Sequence, residues 1–383
     1  MYTLLLALIY LAYISLGLPD SLLGSGWPAM YPALQTSVTN MGIVSMVISG
    51  GTILSSLASN AMTRRLSTRA VTVISVFLTA VALFGFSIST RFWMLIVFAV
   101  PYGLGAGAID AALNNYVALH YSSRHMSWLH CFWGVGTIVS PFVMSYGLTH
   151  AGWEQGYRII AFLQLGIGIL LLATMRVWKI HDRAEETTSE SIGLRKALKI
   201  TGVPVLLVGF FAYCAAEATT MYWASTYLVQ VRGVSAEQAA RFASLFYIGI
   251  TVGRFLCGFI TNRFGDRKMI VMGTCVLLCG VALLAVPVQT AALVGFVVIG
   301  FGCAPIYPCV IHSTPDNFGA ENSGAIIGIQ MAAAYVGTTF IPPLFGLLGK
   351  LIDFRILPIY LAAFFGLMLL MLELTFRKTA KRK

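Results

Sequence analysis

The sequence predicts an all-α membrane protein of twelve transmembrane helices in two pseudo-symmetric six-helix halves, with both termini cytoplasmic. Three observations predict it. Of 383 residues, 58% are hydrophobic and only 10% charged, against about 25% charged in an ordinary soluble domain. Apolar runs recur from end to end, each long enough to cross a hydrocarbon core of about 30 Å. One short basic loop between apolar runs occurs twice, at Ser59–Arg69 and again at Gly258–Lys268.

In chain order the runs place spans at 2–26, 38–62, 70–88, 92–115, 127–149, 154–176, 202–229, 237–261, 268–287, 290–312, 322–348 and 355–376. They read as helices because they are continuous, not alternating over roughly ten residues as in a membrane barrel. Span one has no basic leader and no cleavage site, so it reads as a retained helix rather than a signal peptide. Spans two and eight run into the repeated loop, and spans three and nine leave it. Spans four and ten share glycines, Gly103 and Gly105 answering to Gly300 and Gly302. Spans five and eleven share Gly-Thr and a later proline, Gly136 and Pro141 answering to Gly337 and Pro342. Asp20 in span one answers to Glu217 in span seven. The near-constant offset divides the chain into an N-terminal half, 1–176, and a C-terminal half, 202–383, arranged as parallel repeats. The polar linker 177–201, with Arg183, Glu185, Glu186, Glu190, Arg195, Lys196 and Lys199, reads as a solvated tether.

The net charge is +11, but its distribution argues against nucleic acid. Most of the 25 Lys and Arg lie on the alternate connections 63–69, 116–126, 177–201 and 262–268 and on the tail 377–383. The opposite connections hold Arg91, Arg158, Arg232, Arg241, Lys350 and Arg355. The positive-inside rule therefore puts both termini in the cytoplasm. No basic face with base-stacking aromatics is present. The seven cysteines, at 131, 214, 257, 275, 279, 303 and 309, all fall within spans without ligand spacing, so they read as small apolar fillers. No metal or other cofactor is expected beyond a coupling ion. Short connections and no Asn-x-Ser/Thr sequon suggest a bacterial plasma-membrane protein, taken as a monomer in the lipid bilayer.

The second loop copy, Gly258-Phe-Ile-Thr-Asn262-Arg263-Phe-Gly265-Asp266-Arg267-Lys268, after the eighth of twelve spans, resembles the loop of the major facilitator superfamily. The family pattern has an acid where this chain has Asn262; in the first copy Ser59 stands for Gly258 and Thr63 for Asn262. The resemblance implies that Gly258, Asn262, Arg263, Gly265, Asp266, Arg267 and Lys268 form a cytoplasmic gating loop. Within the superfamily, Leu104-Gly-Ala-Gly-Ala-Ile-Asp110-Ala-Ala-Leu-Asn114-Asn115 resembles the fucose–glucose–mannose:cation symporter branch. Leu129-His130-Cys-Phe-Trp133-Gly134, Glu217-Ala-Thr-Thr and Ala304-Pro305-Ile-Tyr307-Pro308 support it. That branch ties acids in spans one and four to sugar binding and proton coupling, which implies those roles for Asp20 and Asp110.

The residues point the same way by themselves. A charge at mid-bilayer costs at least about 2.5–3.5 kcal/mol on insertion scales, so each one needs a reason. Asp110 follows three glycines and shares a helix face with Asn114, four residues on. The pair can bind sugar hydroxyls, a proton or sodium; the bland alternative is interhelical glue. Asp20 follows Pro19, which frees backbone carbonyls; its bland reading is a headgroup-level residue. Glu217 lies mid-span with no basic residue in its span, 202–229, and so reads as a proton carrier.

For His130 a substrate contact and a simple helix cap weigh equally. His312 reads as structural, and Glu373 as a snorkelling end residue. Arg254 is expected to pair with a loop carboxylate or a helix end. Sugars present hydroxyl rims and apolar faces, so their sites combine amides or carboxylates with aromatic rings. The candidates of that kind are Trp27, Asn114, Asn115, Trp133, Tyr222, Trp223, Tyr247, Tyr307, Gln330 and Tyr335.

These readings suggest cation-coupled uptake of a monosaccharide, a hexose by first choice, by alternating access. A proton is preferred and sodium comes second. The rival is proton-coupled drug efflux, whose span-five signature ends Gly-Pro-x-x-Gly-Gly. This chain has Ser140-Pro141-Phe-Val-Met-Ser145 there. An intramembrane enzyme is disfavoured, because His-Glu-x-x-His, Gly-x-Ser-x-Gly and paired aspartates are all missing. A non-transporting receptor on the same scaffold is disfavoured by its three buried acids.

Overall fold

Hydrocarbon offers the backbone no hydrogen-bond partner, so a spanning segment must pair its own amides, and helices do this. The computed structural model of the protein describes residues 2–178 and 192–380. Among these, twelve helical stretches are long and apolar enough to cross a membrane. They are Thr3–Ala33, Met41–Leu66, Thr68–Ser87, Phe92–His120, Ser123–His150, Trp153–Ala173, Val203–Arg232, Leu245–Phe264, Asp266–Ala285, Gln289–His312, Ala320–Leu351 and Phe354–Ala380, numbered span one to span twelve. Large apolar side chains such as Leu54, Phe142 and Ile359 stay exposed on them, as acyl chains require. In the linker, Leu194–Leu198 forms a short helix. Arg183, Glu185, Glu186 and Glu190 lie outside the described residues.

Several span ends differ from the hydropathy reading by four residues or more, and two of them have a local reason in the structure. Span one continues to Ala33 through Pro28 and Pro32, because membrane helices accommodate proline by local adjustment. Span five begins at Ser123, four residues early. Its polar first turn is capped from another helix, the Asn262 side-chain oxygen accepting the Arg124 backbone N–H at 3.2 Å.

The described residues form two compact units, 2–116 with 132–178, and 117–131 with 192–380. The start of span five thus belongs with the second unit. In the first unit, span one and span five touch backbone to backbone. A Cβ on Gly17 would lie 2.1 Å from the Trp133 carbonyl oxygen, and one on Gly136 would lie 2.4 Å from that of Ile14. Spans two and four meet the same way at Gly103 and Gly107. Small residues permit such contact where lipid supplies no hydrophobic drive between helices. Leu22, Trp27, Met30, Phe86, Met144 and Trp153 build the apolar core beside it.

In the second unit, Gly280 and Gly295 bring spans nine and ten together. Span ten is broken between Cys303 and Ile306. All seven cysteines are free thiols.

Candidate functional site

Span one is itself broken. Its first helix ends at Gly17 and the next begins at Leu22. Pro19 has no N–H to give to the Ser15 carbonyl one turn earlier. The Gln164 side-chain amide donates to that carbonyl instead at 2.6 Å, and the Ser15 hydroxyl donates to the Gln164 oxygen. The break is thereby satisfied, and it presents Asp20 outside the regular helix.

Asp20 accepts from the Trp133 indole N–H at 2.8 Å and from the Tyr102 hydroxyl at 3.1 Å, and it remains exposed. Asp110 is buried, 5% exposed. Its Oδ1 accepts from the Tyr13 hydroxyl at 3.0 Å and from Asn114 Nδ2 at 2.9 Å. The Asp110–Asn114 pair expected from their spacing is therefore formed. In the first unit, Asp20 and Asp110 thus each accept hydrogen bonds from neutral side chains.

The second unit builds a different cluster. Glu217 Oε1 lies 3.0 Å from the Tyr213 hydroxyl and 3.6 Å from the Arg254 guanidinium. The sequence reading has Arg254 pairing with a loop carboxylate or a helix end; the structure sets it instead beside the mid-span carboxylate of Glu217. Span eight turns it inward onto span seven, so Glu217 has a cation close by from another helix. Arg254 also stands over the Tyr307 ring, 6.0 Å from its centroid, and the His130 ring meets Tyr307 edge-on at 4.8 Å. Arg254 and Tyr213 belong to this site and were missed. Arg254 carried one usable signal, a guanidinium in an otherwise apolar run.

The remaining candidates scatter. Trp27 packs in the apolar core of the first unit, so its burial serves packing. Trp223 donates to the Pro342 carbonyl at 2.8 Å and lies against Phe345 and Phe354. Tyr222 is 68% exposed and Tyr247 39%; Asn115 and Tyr335 are half-buried. Gln330 is fully buried, accepts from the Thr314 hydroxyl at 3.0 Å, and its Nε2 has no hydrogen-bond partner among the described residues.

The residues of the basic loop after span eight form a network of their own. Gly258 lets Trp128 approach within 2.1 Å of where a Cβ would be, and its carbonyl accepts from Arg124 Nε at 3.1 Å. Asp266 accepts from the Ser123 hydroxyl and meets His312 Nδ1 at 2.6 Å. His312 Nε2 lies 3.0 Å from the Tyr121 carbonyl. Arg267 pairs with Glu373, which also takes Arg377 at 3.2 Å, so Glu373 is an ion-pair hub at its helix end. Gly265 turns at φ +78°, while Arg263 and Lys268 are exposed. Among the described residues no group of three or more His, Cys, Asp or Glu could hold a metal ion.

Comparison with known proteins accounts for this architecture. The glucose/mannose transporter GlcP of Bacillus subtilis is 23% identical over 314 residues, covering 79% of this chain and 77% of that protein. Bypass of stop codon protein 6 of Saccharomyces cerevisiae is 22% identical over 285 residues; the match covers 67% of this chain but only 56% of the yeast protein. The solved fucose:proton symporter FucP of E. coli has the same fold, with a TM-score of 0.78 at 16% identity over 98% of each chain. The family model described as Major Facilitator Superfamily matches residues 9–243 and 205–383. The chain therefore belongs to the Major Facilitator Superfamily, and is a multi-pass membrane transporter rather than an enzyme.

Proposed function

We propose that the protein is a secondary active transporter that couples a cation, a proton by first choice, to uptake of a monosaccharide. The observation that carries the reading is Asp110. It is a buried carboxyl on a membrane-spanning helix, held by the Tyr13 hydroxyl and the Asn114 amide. Burying an ionised group is expensive, so an acid kept there suits a group that is discharged in each cycle. An incoming proton neutralises it, and the loaded form can cross states that the ionised form cannot. Asp20 suits the accessible end of the same path, because two donors steady it while it stays exposed.

The sugar class draws support from the resemblance to the fucose–glucose–mannose:cation symporter branch and from the printed substrates of GlcP and FucP. Movement between two repeats would provide alternating access. The basic connections would face the cytoplasm of a bacterial cell, with both termini on that side. No cofactor enters the scheme.

Transient currents in proteoliposomes, screened over hexoses with and without sodium at two pH values, test the reading. A sugar-evoked current that depends on pH supports it. Silence towards every monosaccharide contradicts the substrate class, and pH-independent, sodium-dependent current replaces the proton with sodium.

A further inference from the structure

The His312 ring stands between two acceptors. Nδ1 lies 2.6 Å from Asp266 Oδ2, and Nε2 lies 3.0 Å from the Tyr121 carbonyl oxygen. A carbonyl can only accept, and so can an ionised carboxylate. An imidazolium carries a proton on each ring nitrogen, so the charged ring makes both bonds. The neutral ring sets a lone pair against one of the two oxygens. Its remaining proton stays on Nδ1, where the bond to a carboxylate is the stronger one. Nε2 then faces the Tyr121 oxygen with no proton between them.

What the ring touches gives that proton a consequence. Asp266 opens span nine, directly after the turn at Gly265, and also accepts from the Ser123 hydroxyl. His312 closes span ten. Tyr121 lies just before span five, and Ser123 is its first residue. The charged ring therefore ties the start of span five to spans nine and ten together, all within the second unit. Span five is a single helix, Ser123–His150, whose first turns group with the second unit and whose remainder groups with the first. Alternating access moves one repeat against the other, so a hold on the first turn of a shared helix is a point of control. The groups facing His312 are Asp266 from span nine, Asp316 from the short helix Thr314–Phe318 and Tyr121 from the approach to span five. Cys309, one turn back on its own helix, faces Ser123 and Asp266. The side chains of His312 and Asp266 are 16% and 12% exposed, so a proton can reach them from solution.

We infer that His312 is a proton-binding site outside the coupling scheme, which governs how firmly the start of span five is held. Charged, it clamps Tyr121 beside Asp266; neutral, it lets Tyr121 go. The step balances: one proton leaves Nε2 for the solution on the side of the basic loop, and one hydrogen bond is lost. Nothing in it depends on which solute is carried.

Cys309 reports on the clamp, because it is a buried thiol whose sulfur lies 3.9 Å from the Ser123 hydroxyl. Its labelling by N-ethylmaleimide in the purified full-length protein is followed by mass spectrometry at about pH 5.5 and about pH 8.5, on either side of the usual histidine titration. Each rate is divided by that of the same peptide in the unfolded chain at the same pH, which removes the thiol's own pH dependence. Wild type should be about tenfold less protected at the higher pH, as expected for one charge-assisted hydrogen bond. His312→Lys, a cation at both pH values, should stay protected at both. His312→Gln, which takes no proton in this range, should show no change between them. Equal wild-type protection at the two pH values overturns the proposal. A pH-dependent loss that either variant keeps in full also overturns it, and one purified variant is enough for that comparison.

Discussion

Asp20 and Glu217 occupy matching positions in the two repeats, yet their carboxyl groups face different chemistry. Asp20 is held by an indole and a phenol, from Trp133 and Tyr102. Glu217 faces a phenol and a guanidinium, from Tyr213 and Arg254. The same offset sets Asp110 against Tyr307, so where the first repeat has a second acid the second has a ring beneath that guanidinium.

Trp133→Phe keeps the ring and removes the N–H that Asp20 accepts. A hydrogen bond to a charged group contributes about 1.5–3 kcal/mol, so proton-driven uptake should fall about tenfold or more. Initial rates in proteoliposomes measure it. A rate equal to wild type would remove Asp20 from the coupling path.

Gln164→Leu strands the Ser15 carbonyl that Pro19 cannot serve. An unsatisfied buried acceptor costs about 1–3 kcal/mol, which should appear as a lower Tm in detergent. Pro19→Ala restores a backbone donor, so the double variant should recover part of the loss. Simple additivity of the two changes would show that Gln164 does not replace that donor.

Ser67 has φ +71° and ψ 154°, close to the φ +78° and ψ 158° of Gly265 in the matching loop. Side chains are strained there by about 1–3 kcal/mol. Ser67→Gly should therefore raise Tm, and Gly265→Ser should lower it. Opposite signs would show that neighbouring contacts outweigh backbone strain.

Gly17→Ala would set a Cβ 2.1 Å from the Trp133 carbonyl. Backbone cannot yield cheaply, and overpacking of this kind costs about 1–3 kcal/mol or more. Reduced yield of folded protein is expected, with a lower Tm in what remains; an unchanged Tm would mean that spans one and five separate freely.

Much of this architecture could be read before any coordinates. Hydropathy found all twelve spans, because length and apolarity are what a bilayer selects. The repeated loop gave the pseudo-symmetry, and spacing alone paired Asp110 with Asn114. What stayed hidden was rotation about helix axes. Nothing in span eight says that Arg254 turns toward Glu217, or in span one that Trp27 turns into the core. Those directions are set by packing between helices distant in sequence. Span five's early start was hidden for the same reason: its cap, Asn262, lies on another helix.

The central claim is that a carboxyl group is kept in the apolar interior because a moving cation discharges it in every cycle. The direct measurement is the substrate-evoked transient current of Asp110→Asn proteoliposomes beside wild type, across an imposed pH gradient. An asparagine cannot take up the proton, so the account predicts that the proton-driven current disappears while the variant still folds. Full wild-type current from Asp110→Asn would contradict it.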